Sequence, residues 1–209
     1  PEVRYIDYRP GNMCNLKCRM CTPSESHLLH NEMLAYPELQ QYYSHPEIDQ
    51  RYLDLSANYD PTTGELNPQI ANHQVFANLQ ELKVIGGEPT IDPGVHRLLE
   101  WVINNGYSKN LKLKYTTNAT NLNSQWIDYL SKFRESKANI SLDAAGDTYE
   151  YIRIPAKWKT VANNVEKIKT IPNSSYNGNM VYSLWNCFTI RDWYHELMRT
   201  VDDVECSIS

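Results

Sequence analysis

Short apolar runs alternate with longer helical patterns along this chain. Residues 3–8, 82–85, 111–115, 139–142, 180–185 and 204–208 read as strands, most of them ending in small or polar residues. Between them the apolar spacing turns helical. Asp92 and Pro93 open one helix as N-cap and first residue, and Asn105-Gly106 closes it. Its inward face is Val95, Leu98, Leu99, Val102 and Ile103. Asn123 caps the next, which buries Trp126, Ile127, Leu130 and Phe133. Trp158, Val161, Val165 and Ile168 face inward on a third, and Thr189 starts a fourth with Trp193, Leu197 and Val201 inward. Strand and helix repeated, with long strand-to-strand separations, predict an α/β fold with parallel strands. Six strands are expected to close partway, as a partial (β/α)6 TIM-like barrel.

Residues 22–80 break this rhythm. They are polar and rich in Tyr, Asn, Gln and Pro. The first crossover helix is expected at 24–34, and the remainder reads as a long insertion after the first strand, laid over one face as a lid or binding element. At 209 residues the chain is read as one domain spanning 1–209.

The net charge of −5 gives the protein no electrostatic hold on nucleic acid. The lysines of 109–114 alternate with Leu111 and Leu113, as on the solvent face of a strand. No signal peptide and no 18-residue apolar run are present, so a cytoplasmic protein without a membrane partner is expected.

Cysteine usage changes the picture. Cys14, Cys18 and Cys21 form C-x3-C-x2-C directly after the first strand. Close thiolates are soft metal ligands. A structural zinc needs four protein ligands, and His27 or His30 would have to supply the fourth. A [4Fe–4S] cluster held by three cysteines leaves one iron open, as a substrate-binding metal requires. The spacing alone leaves iron–sulfur, zinc and unrelated buried thiols open. Gly86-Gly87-Glu88-Pro89 ends the second strand. Paired glycines there admit a ligand to the backbone, and a carboxylate accepts from an ammonium group.

These two motifs in this order resemble the radical S-adenosylmethionine (SAM) superfamily. Thr117-Asn118 is similar to that family's Thr-Asn-Gly after its third strand, and Ser141 with Asp143 to its Ser-x-Asp on the fourth. The segment 149–153, followed by Lys157-Trp158, resembles the subgroup that carries a SPASM or twitch extension. The resemblance implies that Cys14, Cys18 and Cys21 ligate three irons of a [4Fe–4S] cluster while SAM chelates the fourth. Reductive cleavage then yields methionine and a 5′-deoxyadenosyl radical, which takes hydrogen from a peptide, protein or small-molecule substrate. A flavodoxin or ferredoxin is the implied electron donor.

The resemblance also assigns side chains. Gly86, Gly87, Glu88 and Pro89 are expected to take the methionyl amine, Arg153 its carboxylate, and Ser141 and Asp143 the ribose. Met20 stands where the family often has an aromatic, and packs against the purine. Asn118 and Asn186 are expected at strand ends, within reach of SAM or substrate. Two positions depart from the pattern, Ala119 and Ala144, where the family has glycine. Both are small, so only mild restriction of the backbone is expected. No cysteine run follows Cys206, so the auxiliary-cluster extension is expected to be absent. A zinc-binding interaction module and a catalytically silent member of the same fold are the competing readings.

Overall fold

The computed structural model describes residues 2–42 and 58–200. The expected strand 204–208 and the inward Val201 lie outside the described residues, as does the side chain of Leu197.

In chain order the elements are β1 (Tyr5–Tyr8), β2 (Lys17–Cys18), α1 (His27–Ala35), α2 (His73–Phe76), β3 (Glu81–Val84) and α3 (Pro93–Asn104). They continue with β4 (Lys112–Thr117), α4 (Ser124–Lys132), β5 (Glu135–Ser141), α5 (Gly146–Ile152), β6 (Arg153–Ile154), α6 (Trp158–Lys169), β7 (Ser174–Asn179) and α7 (Ile190–Thr200). β1, β3, β4, β5 and β7 form one parallel sheet in that order. Each strand lies beside the next sheet strand in sequence, which is how a (β/α) barrel grows. The five parallel strands are the partial TIM-like barrel expected from the sequence.

Side chains of β3, β4 and β5 alternate strictly between half-buried and buried. Leu82 and Val84, Leu113 and Tyr115, and Ala138 and Ile140 are fully buried on one face. They pack under α3, α4 and α6, whose Leu98, Leu99, Trp126, Val161 and Val165 are equally buried. The opposite, half-buried face carries cross-strand ion pairs, Asp7 to Lys83, Glu81 to Lys114 and Lys112 to Glu135. The lysine-rich run therefore neutralises neighbouring strands.

The helix signals hold. The Asp92 carboxylate accepts from the Gly94 and Val95 N–H groups, and the Asn123 side chain accepts from Trp126 N–H at 2.8 Å. The fifth sheet strand departs from expectation. It runs from Ser174 to Asn179, not over 180–185. Its polar sequence is set by backbone pairing with β5, Ser136 opposite Ser174 through Ser141 opposite Asn179. The apolar residues that suggested a strand, Tyr182, Leu184 and Trp185, are exposed. The first helix starts at His27 rather than 24. The two-residue ladder between β2 and β6 and the helix α5 were not expected. No helix among the described residues is long and apolar enough to cross a membrane.

Candidate functional site

The loop from Arg9 to Cys21 leaves the C-terminal end of β1 and is fastened on three sides. The first is the turn after β3. Gly87 N–H donates to Gly11 O at 3.2 Å and Glu88 N–H to Met13 O at 2.7 Å. The approach is so close that a Cβ on Gly87 would lie 2.2 Å from Met13 O. Gly86 takes φ +145°, a conformation that favours glycine. The paired glycines thus seat the cysteine loop's own backbone.

The second fastening is the start of α1. Ser26 donates from its hydroxyl to Leu16 O at 2.7 Å, and the Asn12 amide donates to Pro23 O. Cys14 N–H donates to His27 Nδ1 at 3.0 Å. His27, a candidate zinc ligand by sequence, therefore serves as a brace for the loop. The third is the β2–β6 ladder, which sets Cys18 opposite Arg153, with Arg19 N–H donating to Ile152 O at 2.9 Å.

A cavity of about 270 Å³ opens beside this loop. All five sheet strands contribute to it from their C-terminal ends: the cysteines after β1, Ile85, Gly86 and Gly87 after β3, Thr116, Thr117 and Asn118 from β4, Ser141 from β5, and Val181 after β7. Cys14, Cys18, Met20, Cys21, Glu25 and Arg153 complete the lining. Three somewhat larger cavities, about 390, 380 and 370 Å³, lie elsewhere, two against α3 and one between α5, α6 and α7, and none is lined by a cysteine.

Nine residues singled out by sequence meet here: Cys14, Cys18, Met20, Cys21, Gly86, Gly87, Asn118, Ser141 and Arg153. Four do not. Glu88 is 1% exposed, and its carboxylate is spent on neighbouring backbone and hydroxyls. Oε1 accepts from Thr90 N–H, the Thr90 hydroxyl and the Thr117 hydroxyl, and Oε2 accepts from Asn118 N–H at 2.7 Å. Burial raises its pKa against these four hydrogen bonds. Pro89, next to it, is buried away from the cavity. Asp143 is fully buried, its Oδ2 paired with Arg153 and its Oδ1 accepting from Val181 N–H at 2.9 Å. Asn186 is not at a strand end. Its amide donates to Asp143 O and Val181 O, both at 2.8 Å. All three polar groups shape the rim from behind.

The sequence reading also missed lining residues. Thr116, Ile85 and Val181 belong to strand ends, Thr117 enters the sequence reading only as part of the Thr-Asn motif, and Glu25 lies in the segment expected as the first crossover helix.

The thiols sit in unequal surroundings. Burial pushes Cys14 up to about 12, with Glu88 adding to the rise. A hydrogen bond from Cys21 lowers Cys18, against burial and with help from the Arg153 guanidinium, whose NH1 lies 3.7 Å from its sulfur. The same bond and burial raise Cys21. Metal binding must remove the remaining protons. Among the described residues no group of three or more His, Cys, Asp or Glu is gathered tightly enough for a single ion. His27 is engaged through Nδ1 with the Cys14 N–H, while His30 Nδ1 is buried with no hydrogen-bond partner among the described residues.

The two alanine departures are not equivalent. Ala119 takes φ +55°, where a side chain costs about 1–2 kcal/mol. Ala144 is fully buried without a left-handed backbone. Ala119→Gly is expected to stabilise the protein by about 0.5–1 kcal/mol, and Ala144→Gly to destabilise it by about 1 kcal/mol. Thermal unfolding midpoints should move in opposite directions.

The profile of the radical SAM superfamily matches residues 8–182. No curated protein sequence matches the chain. Among solved structures, SuiB of Streptococcus suis bound to precursor peptide SuiA is similar with TM-score 0.60 at 16% identity, over 98% of this chain and 39% of that one. Native anSMEcpe with bound AdoMet and Cp18Cys peptide gives TM-score 0.63 at 16% identity, over 99% and 50%. The methyltransferase TsrM of Kitasatospora setae, with cobalamin and a [4Fe–4S] cluster, gives TM-score 0.58 at 10% identity, over 99% and 34%. The chain thus spans about a third to a half of the length of these structures. The family profile covers the cysteine loop and every strand end that lines the cavity, and the chain belongs to the radical SAM superfamily.

Proposed function

We propose that this chain is a radical SAM core domain that binds a [4Fe–4S] cluster and SAM in the cysteine cavity. When bound, these cofactors supply reductive cleavage of SAM to methionine and a 5′-deoxyadenosyl radical, which abstracts hydrogen from a substrate. The observation that carries this reading is the convergence of all five strand ends and three cysteines on one cavity. Ligands of α/β barrels bind at that rim.

Cys14, Cys18 and Cys21 hold the cluster in this reading. Gly86 and Gly87 offer their carbonyls to the methionyl amine, since the Glu88 carboxylate is occupied elsewhere. Ser141 offers the ribose a hydroxyl that no hydrogen bond among the described residues occupies. Met20 meets the purine. Glu88, Asp143 and Asn186 position this lining without touching the cofactor. The segment 22–80 supplies the end of the cluster loop, the first helix and an insertion. A peptide substrate is supported by the precursor peptide on SuiB and the Cp18Cys peptide on anSMEcpe, with a small molecule as the other class. A low-potential donor such as flavodoxin or ferredoxin delivers the electron.

The test is anaerobic reconstitution with iron and sulfide, then SAM and dithionite, with 5′-deoxyadenosine quantified by mass spectrometry. Wild type should form it and Cys18→Ala should not. Retention of one zinc without iron uptake would overturn the proposal.

A further inference from the structure

The resemblance assigned an ammonium group to Glu88, and hydrogen bonds from Thr90, Thr117 and Asn118 remove Glu88 from that task. The carboxylate that lines the cavity is Glu25. It lies four residues past Cys21, in the turn before α1, held by its own N–H to Thr22 O at 3.0 Å. No hydrogen bond or ion pair among the described residues reaches its side chain. The other charged lining residue, Arg153, is already paired with Asp143. With the thiols deprotonated the cavity is net negative, and its one uncommitted carboxylate is solvent-exposed where Arg153 is buried.

We infer that Glu25 is a specificity residue that receives a cationic group, a primary ammonium, on the molecule entering this cavity. The inference rests on the proposed SAM-dependent reading of the site. Two molecules can bring that group: SAM through its methionyl end, or a substrate through an amine. Exposure of Glu25 favours the substrate, because in the proposed reading Gly86 and Gly87 take the cofactor's ammonium. A carboxylate there attracts the amine and sets which hydrogen lies nearest the cluster side of the cavity.

The experiment is anaerobic calorimetry on reconstituted wild type and Glu25→Gln, which keeps the shape and removes the charge. The substrate probes are N-acetyl-lysine amide and N-acetyl-norleucine amide, titrated with and without SAM. The cofactor probes are SAM, S-adenosylhomocysteine and deaminated S-adenosylhomocysteine. Wild type is expected to prefer the lysine probe by about three- to fivefold, the size of a partly exposed ion pair. Glu25→Gln and 1 M salt should each abolish the preference while SAM affinity holds. If Glu25→Gln weakens SAM and S-adenosylhomocysteine but spares the deaminated analogue, the ammonium is the cofactor's and the role of Glu25 stands. Equal binding of every probe by both proteins overturns the inference. So does uniform weakening of all probes, which marks a structural effect. Failure of wild type to bind SAM or form 5′-deoxyadenosine sinks the functional reading instead, and the lysine–norleucine comparison without SAM still decides Glu25.

Discussion

Arg153→Met is expected to destabilise the protein by about 3–5 kcal/mol, with loss of iron loading. Arg153 is 7% exposed and Asp143 fully buried, and the guanidinium binds Asp143 Oδ2 through Nε at 2.6 Å and also through its second amino group. Removing the cation strands a buried carboxylate, and that stranded charge is the larger part of the cost. For a chain of this size the unfolding midpoint should fall by roughly 10 °C. The double variant Arg153→Met with Asp143→Leu should recover much of the stability, because an apolar pair needs no compensating charge. It should not recover iron loading, since Arg153 also stands 3.7 Å from the Cys18 sulfur and lies opposite it in the β2–β6 ladder. Lys157→Met, which removes the exposed end of the Lys157–Glu150 pair and leaves the Glu150 contact to Trp158 N–H, is the control and should leave both readouts unchanged. Urea unfolding and iron content per chain separate the two roles. Full recovery of iron loading in the double variant would leave Arg153 with a structural role alone.

That pair also marks where sequence reading stops. Cys14, Cys18 and Cys21 announce themselves by spacing, and the caps Asp92 and Asn123 by residue type. The buried alternation of β3, β4 and β5 follows from period-two burial. Past a strand end that period lapses, and nothing local says which way a side chain turns. Glu88, Asp143 and Asn186 occupy rim positions in sequence, yet each turns inward to satisfy backbone or hydroxyl groups that arrive from other elements. Glu25 is legible only once α1 is docked against the cysteine loop. β7 escapes because its sequence Ser-Ser-Tyr-Asn-Gly-Asn carries no apolar alternation, while its backbone pairs with β5. Residues 43–57 of the expected insertion lie outside the described residues.

Gly87→Ala is the second large effect, and it should strike the cysteine loop selectively. The added methyl would stand 2.2 Å from Met13 O, 2.5 Å from Met13 C and 2.6 Å from Asn12 C, all backbone atoms. Side-chain repacking cannot relieve such a contact, so residues 11–13 must move, and Cys14 follows them. The movement breaks the hydrogen bonds from Gly87 N–H to Gly11 O and from Glu88 N–H to Met13 O. Overpacking of this kind costs about 1–3 kcal/mol, which the sheet and its buried helices should survive. Iron incorporation should fall at least tenfold while far-ultraviolet circular dichroism stays native. Gly106→Ala separates steric displacement from backbone strain. Gly106 takes φ +78° with no atom within 4 Å of the added methyl, so that variant should lose about 1 kcal/mol and keep full iron loading. Equal iron loss in both variants would mean that general destabilisation empties the site. Loss confined to Gly87→Ala would tie the paired glycines to the seat of the cysteine loop, a task separate from any contact they make with SAM.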